Sequence, residues 1–420
     1  MEMKKCKLSE IASFIGSGMT PLRSNENYWN SKDYPWLKTE QLGEYQIFDT
    51  NEYISKVALE ETNLKLFPKN TLSVAMYGEG KTRGNVSILA EQMTTNQACC
   101  NIIVDNKFAN YKFVYYWLKN SYYKLRSLSS GVRNNLNSED IKKFEINLPS
   151  LPTQQKIAAI LSSLDDKIAL NKKINAKLEA MAKRLYDYWF VQFDFPNEEG
   201  KPYKTSGGKM VWNEVLKRKI PEGLEVKSIN EVCDVIDCLH SKKPDFCYED
   251  EDSYLLSLEN ITKEGYIDIS EKYYISKKDF SEWTSRICVK ENDFLFTNAG
   301  RAGDMGMIPN GIKCAIGRNI TAVRSKKINP YYLRCFFKSL YMKEQILNNL
   351  DKGCFFMSFN VRSIKQLSIL IPKEENFHKF ISFCEPIIKQ LNKNNSEIQK
   401  LTNLRDRLLP LLMNGQVEVK

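Results

Sequence analysis

From Pro152 to Phe193 the chain runs without a helix breaker, and Pro152-Thr153 suits a helix start while Pro196 suits a stop. Apolar or small residues at Ile157, Leu161, Leu164, Ile168, Leu178, Ala182 and Leu185 follow a heptad spacing, and Asn171 and Asn175 fill the two gaps. At 1.5 Å per residue this is a rod of roughly 58 Å, too long for one small core to cover. One apolar stripe needs a partner. Comparable spacing occurs in the C-terminal region, through Ile388, Leu391, Asn395, Ile398, Leu401, Leu404, Leu408 and Leu411. The pattern predicts an intramolecular helix pair.

Around that pair, 420 residues exceed what one growing core accommodates, so two or more domains are expected. A chain 42% hydrophobic and 27% charged, without a long apolar run, reads as soluble and globular, with no membrane contact. The N-terminus lacks a signal-peptide pattern, so a cytoplasmic location is expected. Eleven scattered cysteines form no Cys-x-x-Cys pair and there are two histidines, His240 and His378. Metal ligation and Cys-His or Ser-His catalysis therefore have little material, and no metal site is assigned. The net charge of +10 favours a polyanion, nucleic acid before membrane, although surplus surface lysine would give the same figure.

The chain also repeats itself at an offset of about 220 residues. Leu8-Ser9-Glu10-Ile11 is echoed by Ile229-Asn230-Glu231-Val232, Trp36–Leu42 by Leu255–Ile261, Ser73–Gly84 by Leu295–Gly306, and Phe113–Lys119 by Tyr332–Lys338. A unit of this size is a duplicated domain. The expected fold class is α+β: two similar globular α/β domains joined by two long antiparallel helices as a coiled-coil spacer, with a pseudo-two-fold internal repeat. The expected boundaries are 1–151 for the first domain, 152–193 for the proximal helix, 194–223 for a linker, 224–372 for the second domain and 373–420 for the distal helix and tail. The seam is assigned to Leu161, Leu164, Ile168, Asn171, Asn175, Leu178 and Leu185 on one helix, and to Ile388, Leu391, Asn395, Ile398, Leu401 and Leu408 on the other. Its asparagines either fix the register by facing another amide or lie at the edge of the stripe in water.

Ala75–Thr82 nearly matches a phosphate-binding loop, but a strand-like run follows its Lys-Thr where a helix is needed, and the second half has no counterpart. Both segments read better as glycine-permitted loops presenting base- and phosphate-bonding groups. The candidates are Lys38, Thr39, Tyr77, Lys81, Thr82, Arg83, Asn85, Arg133, Asn134 and Asn135 in the first half. In the second half they are Asn298, Arg301, Arg318, Asn319, Lys352 and Phe355. No catalytic set or methyl-transfer motif is visible, so the chain reads as a binder; a stand-alone restriction or modification enzyme with fused DNA recognition is the alternative.

The runs Leu148–Pro196 and Leu404–Val417 closely resemble the two spacer helices of specificity subunits of type I restriction-modification systems, and Met210–Val226 resembles the usual entry into their second target-recognition domain. Pro386 departs from the pattern and should shorten or kink the distal helix. The resemblance implies a non-catalytic subunit whose two domains each read half of a split double-stranded DNA target while the helices set the gap. It implies docking of two modification (methyltransferase) subunits and two restriction subunits. No cofactor is expected in this chain; S-adenosylmethionine, ATP and Mg belong to those partners. Docking is expected on the outer helix faces, where seven basic residues, Lys156 to Arg184, outnumber Asp165, Asp166 and Glu179.

Overall fold

A computed structural model describes residues 3–78, 80–128, 135–352 and 357–419. The chain is α+β and divides into two compact units, Met1–Ile168 with Leu401–Lys420, and Ala169–Lys400.

In the first unit a five-stranded sheet has the order Ala12–Ser17, Cys99–Val104, Leu72–Ala75, Val86–Leu89, Gln46–Ile47. A three-stranded sheet, Glu52–Ile54, Tyr34–Leu37 and Thr94–Thr95, includes the parallel pair Trp36↔Thr94. The strands of the larger sheet's centre are buried except at the half-buried Ile103, which suits their many β-branched and small residues. The helix Tyr111–Asn120 starts where Asn110 Oδ1 accepts from the amides of Lys112 and Phe113, at 3.0 and 3.2 Å. It buries Phe113, Val114, Tyr115, Tyr116 and Leu118.

The second unit repeats this plan. A four-stranded sheet runs Cys233–Asp237, Ile320–Ser325, Phe294–Thr297, Met305–Met307, and the three-stranded sheet Tyr273–Tyr274, Tyr254–Leu256, Ala315–Ile316 again contains a parallel pair, Leu255↔Ala315. Asn70 and Asn292, at φ 70° and 69°, make the same left-handed turn before the strands at Leu72 and Phe294. Asparagine tolerates that conformation better than most residues.

The proximal helix spans Leu151–Tyr186 and continues as a π-helical turn over Asp187–Val191. Trp189 and Phe190, consecutive in sequence, are both buried there against Phe380. The wider turn brings in two neighbouring aromatics, so the α-helix stops short of Phe193. The stretch expected to be a linker instead carries a hairpin, Met210–Asn213 with Arg218–Pro221. Its Leu216 and Ile220, with Phe195, belong to the second unit's core, and Arg218 lies over the rings of Phe193 and Tyr341. Local glycines and prolines signalled a connection; the burial that orders it comes from distant residues.

The distal helix, Glu374–Met413, does not stop at Pro386. That residue is exposed, so the acceptor it leaves without a donor lies at the helix's solvent side. In the first unit Ile157, Ala158 and Leu161 pack with Leu409, Leu412 and Met413; in the second, Ala182 and Tyr186 pack with Phe380, Ile381, Cys384 and Ile388. Each large side chain so buried contributes about 1.5–3 kcal/mol. The distal seam departs from expectation after Ile398. Leu404 and Leu411 are exposed and Leu401 and Leu408 half-buried, while the heptad continues through Thr402, Arg405, Leu409 and Leu412.

Candidate nucleic-acid interface

In each unit a glycine loop, a turn entering the neighbouring strand and an arm leaving the first sheet strand lie side by side. In the first unit the loop of residues 76–85 is closed by Gly84 N donating to Ala75 O at 2.9 Å, and Met76 N donates to Ala98 O of the turn at 2.9 Å. The arm begins at Gly18, where a Cβ would fall 2.1 Å from Thr95 O, so only glycine permits the approach. Thr20 Oγ1 donates to Gln97 of the same turn. In the second unit Asn298 N donates to Asn319 O at 2.7 Å, and Arg318 Nε donates to Ser241 O of the arm at 2.8 Å.

The two loops are braced at equivalent carbonyls by different side chains. Asn85 Nδ2 donates to Leu42 O at 3.2 Å, whereas Arg301 Nη2 donates to Leu258 O and Ile261 O, both at 2.6 Å, and Nη1 lies 3.4 Å from Asp304. Leu42 and Ile261 correspond in the repeat. Asn85 and Arg301, nominated as base readers, thus have their amide and guanidinium donors engaged in holding the loops to the adjoining 3-10 turns, Thr39–Gln41 and Leu258–Asn260. The first loop has further supports: Tyr122 Oη donates to Lys81 O at 2.8 Å and Arg126 Nη1 to Arg83 O at 2.9 Å.

The other nominated residues divide clearly. Lys38 is engaged by Glu52 at 2.5 Å and Glu40 at 3.1 Å, and these carboxylates raise its pKa. Glu52 is held low because its bonds to Lys38 and Arg23 outweigh the upward push of burial. Thr39 opens its 3-10 turn, and Thr82 and Arg83 are half-buried in the loop. Tyr77 and Lys81 are exposed, and with Tyr122, Tyr123, Lys119 and Arg126 Lys81 lines a cleft of about 730 Å³. Asn135 is half-buried close to the loop, its neighbour Leu136 donating to Met76 O at 3.1 Å. Asn298 Oδ1 accepts from Thr321 at 2.9 Å; Arg318 and Asn319 are exposed, the latter at φ 62°. Lys352 lies in the strand Asp351–Lys352. Arg133, Asn134 and Phe355 fall outside the described residues, as does Glu79. The Lys81-Thr82 pair leads through a turn into the strand Val86–Leu89, so no helix N-terminus is offered to a phosphate.

The sequence reading named none of the arm residues. The available signal was Lys242-Lys243 followed by Phe246 and Tyr248, between two echoed segments. In the first arm the Arg23 guanidinium stands 3.7 Å from the Trp29 ring centroid and pairs with Glu52 at 2.5 Å. Among the described residues, Asp237, Cys238 and His240 hold three donor atoms within 4.8 Å of one another. His240 Nε2 already bonds Asp237 at 2.8 Å and burial pushes the Cys238 thiol up, away from the thiolate a metal would need. Cys99 and Cys100 are buried, with burial pushing each thiol to about 12.

The helices meet through polar groups as well. In the second unit Asn171 Nδ2 donates to Glu397 at 3.0 Å, Asn175 Nδ2 to Asn395 Oδ1 at 2.7 Å, and Asn394 Nδ2 to Asn175 Oδ1 at 2.8 Å. Ascending numbers on one helix meet descending numbers on the other, so the pair is antiparallel. Glu179 of the proximal helix accepts from Arg334 and from Lys338 at 3.0 Å, and these cations hold its carboxyl low against the upward push of burial. In the first unit Asp165, 2% exposed, accepts from Tyr116 Oη at 2.8 Å and from Arg405 Nη1 at 2.6 Å. Two of the three acids counted on the outer face are therefore committed inward, leaving Asp166 exposed among seven basic residues.

The family model described as the type I restriction modification DNA specificity domain matches twice, over residues 1–180 and 221–403. The chain is 27% identical over 425 aligned residues to the type I restriction enzyme MjaIX specificity subunit of Methanocaldococcus jannaschii, covering 99% of this chain and 93% of that protein. It is 23% identical to the HindI specificity subunit of Haemophilus influenzae, covering 70% and 74%. Its fold is similar to the crystal structure of the type I restriction-modification S subunit from M. genitalium, with a TM-score of 0.60, 17% identity and coverage of 98% and 96%. With both halves matched, the chain belongs to the type I restriction-modification DNA specificity family, as a specificity subunit with two copies of the domain.

Proposed function

We propose that the chain is the non-catalytic reader of a cytoplasmic type I restriction-modification complex, each unit reading one half of a bipartite duplex target. The observation that carries this is the duplicated specificity domain, with each copy presenting the same loop, turn and arm but different side chains on them. Two similar scaffolds with changed surface residues suit two different half-sites. The antiparallel helices set the gap. Their basic outer faces dock methyltransferase subunits, taken as two, and restriction subunits, also two, join that assembly. S-adenosylmethionine, ATP and Mg would serve those partners, and no helix among the described residues is long and apolar enough to cross a membrane.

The test is to map methylated adenines in cells carrying this chain with its partner methyltransferase, then footprint the purified complex on the motif found. A split motif protected at both halves, in a salt-dependent way, is expected. A continuous motif, or methylation by this chain alone, would overturn the reading.

A further inference from the structure

The arm of the second unit has features that the loop and turn do not explain. Residues 241–248 are clamped to the three-stranded sheet by aromatic contacts. Tyr273 Oη donates to Pro244 O at 2.9 Å, Cys247 N donates to Tyr274 O at 3.1 Å, and Lys243 Nζ stands 3.5 Å from the Tyr273 ring centroid. Phe246 meets Tyr273 edge-on at 5.8 Å, and Tyr248 meets Tyr274 at 4.8 Å. Phe246 and Tyr248 nonetheless remain 61% and 59% exposed. Rings that stiffen a surface arm and stay in solvent are poorly explained by core packing.

Charge is sorted along the same stretch. At the acidic end Asp250 caps the amides of Asp252 and Ser253, at 2.8 and 2.7 Å, and Glu249 accepts from Lys277 N at 2.9 Å, while Glu251 and Asp252 are exposed. Asp237 is taken up by His240. Lys242 and Lys243 are exposed, with Asp245 as the exposed acid between them and Phe246. Beside them Arg318 is exposed, and its bond to Ser241 O leaves both terminal amino groups without a partner among the described residues. An arginine fixed through Nε presents a preset two-pronged donor, the group that pairs with guanine O6 and N7. Arm and loop share a neighbourhood: the carboxyl of Glu259 in the adjoining 3-10 turn is held low by the nearby Ser257 and by the charges of both Lys243 and Arg301.

We propose that Ser241–Tyr248 is a second duplex-contacting arm, in which Lys242 and Lys243 meet backbone phosphates while the Ser241 carbonyl positions Arg318 to read a base edge of the second half-site. The proposal rests on the bipartite reading above and adds a division of labour to it: phosphate contacts from the arm, base contact from the turn.

The experiment uses the assembled complex with its methyltransferase partner on the mapped target. Binding is measured across a salt series for the wild type, for the double variant Lys242→Ala/Lys243→Ala, and for Arg318→Ala. The double variant is expected to lower the slope of log K against log salt by about 1.8, at about 0.9 per phosphate, with base preference unchanged. Arg318→Ala is expected to relax preference at one base pair of one half-site by roughly 5- to 150-fold, leaving the other half unaffected. All three side chains are exposed, so thermal melting should stay close to the wild type despite the lost Lys243–Tyr273 contact and Arg318–Ser241 bond, and separates folding from binding. An unchanged slope in the folded double variant, or lost assembly with an unchanged slope, overturns the arm and in the latter case makes it a protein-docking surface. A wild-type complex that fails on the split duplex overturns the bipartite reading itself.

Discussion

Arg301 and Arg318 sit on neighbouring segments and carry the same chemistry, yet their surroundings give them opposite tasks. Arg301 donates twice to backbone carbonyls of the 258–261 turn, while Arg318 makes a single backbone bond and stays exposed. Losing charged hydrogen bonds to two carbonyls should cost Arg301→Ala about 2 kcal/mol in chemical denaturation. Arg318→Ala, at an exposed site, should stay within about 0.5 kcal/mol of the wild type. Equal losses would remove the distinction. Sequence could nominate both arginines, since residue type and loop context are local. It could not separate them, because the deciding partners are main-chain carbonyls about 40 residues from Arg301 and about 77 from Arg318.

At the level of the helices, the polar groups are as informative as the apolar seam. Arg405 takes a seam position and is held charged: burial pulls its pKa down, but Asp165 and Asp406 raise it further. Breaking the pair leaves Asp165 buried without its cation, so Arg405→Ala should destabilise by about 3–5 kcal/mol in urea melts. Asp165→Leu, Arg405→Leu and Tyr116→Phe together should restore most of that. Glu179 supplies a pH test in the other unit. Its carboxyl is held below the ordinary value of 4.5, so its contribution is full above 4.5 and is lost as pH falls through the lowered folded value. Acid titration of Glu179→Gln should therefore show a shallower loss of stability below pH 4.5 than the wild type. The seam was legible up to Ile398 because one phase there is apolar. Beyond it Leu401, Leu404, Leu408, Leu409, Leu411 and Leu412 populate two phases, and the phase used places Arg405 opposite an aspartate 240 positions away.

For the whole molecule, the duplication was readable because paired segments recur at one offset, and the correspondence of the two units' shared strands follows from it, with the strand Gln46–Ile47 of the first unit matched in the second by the bridge Tyr266↔Met307 alone among the described residues. The hairpin at Met210–Pro221 was not readable, since its order depends on aromatic residues contributed from remote segments. The proposed spacing role makes a length prediction. Removing one heptad from each helix, Ile168–Ile174 with Ser396–Thr402, keeps the seam in phase and shortens each by about 10 Å. The methylated motif should lose about three base pairs from its gap while both half-sites stay the same. An unchanged gap in a folded variant would show that the helices do not measure it.

The bracing of the two loops also defines which pieces of this protein are interchangeable. Each loop is fastened to a carbonyl of its own unit, Asn85 to Leu42 and Arg301 to Ile261, through a side chain the other unit lacks. Grafting residues 298–304 alone into the first unit would bring an arginine to a site shaped for asparagine. Cut points outside 39–85 and 258–304 carry the Leu42 and Ile261 fastenings along with their loops, but Tyr122 and Arg126 also support the first loop and Arg318 lies beyond the second, so exchange of whole domains, in evolution or by design, would preserve a working reader where exchange of the tips would not.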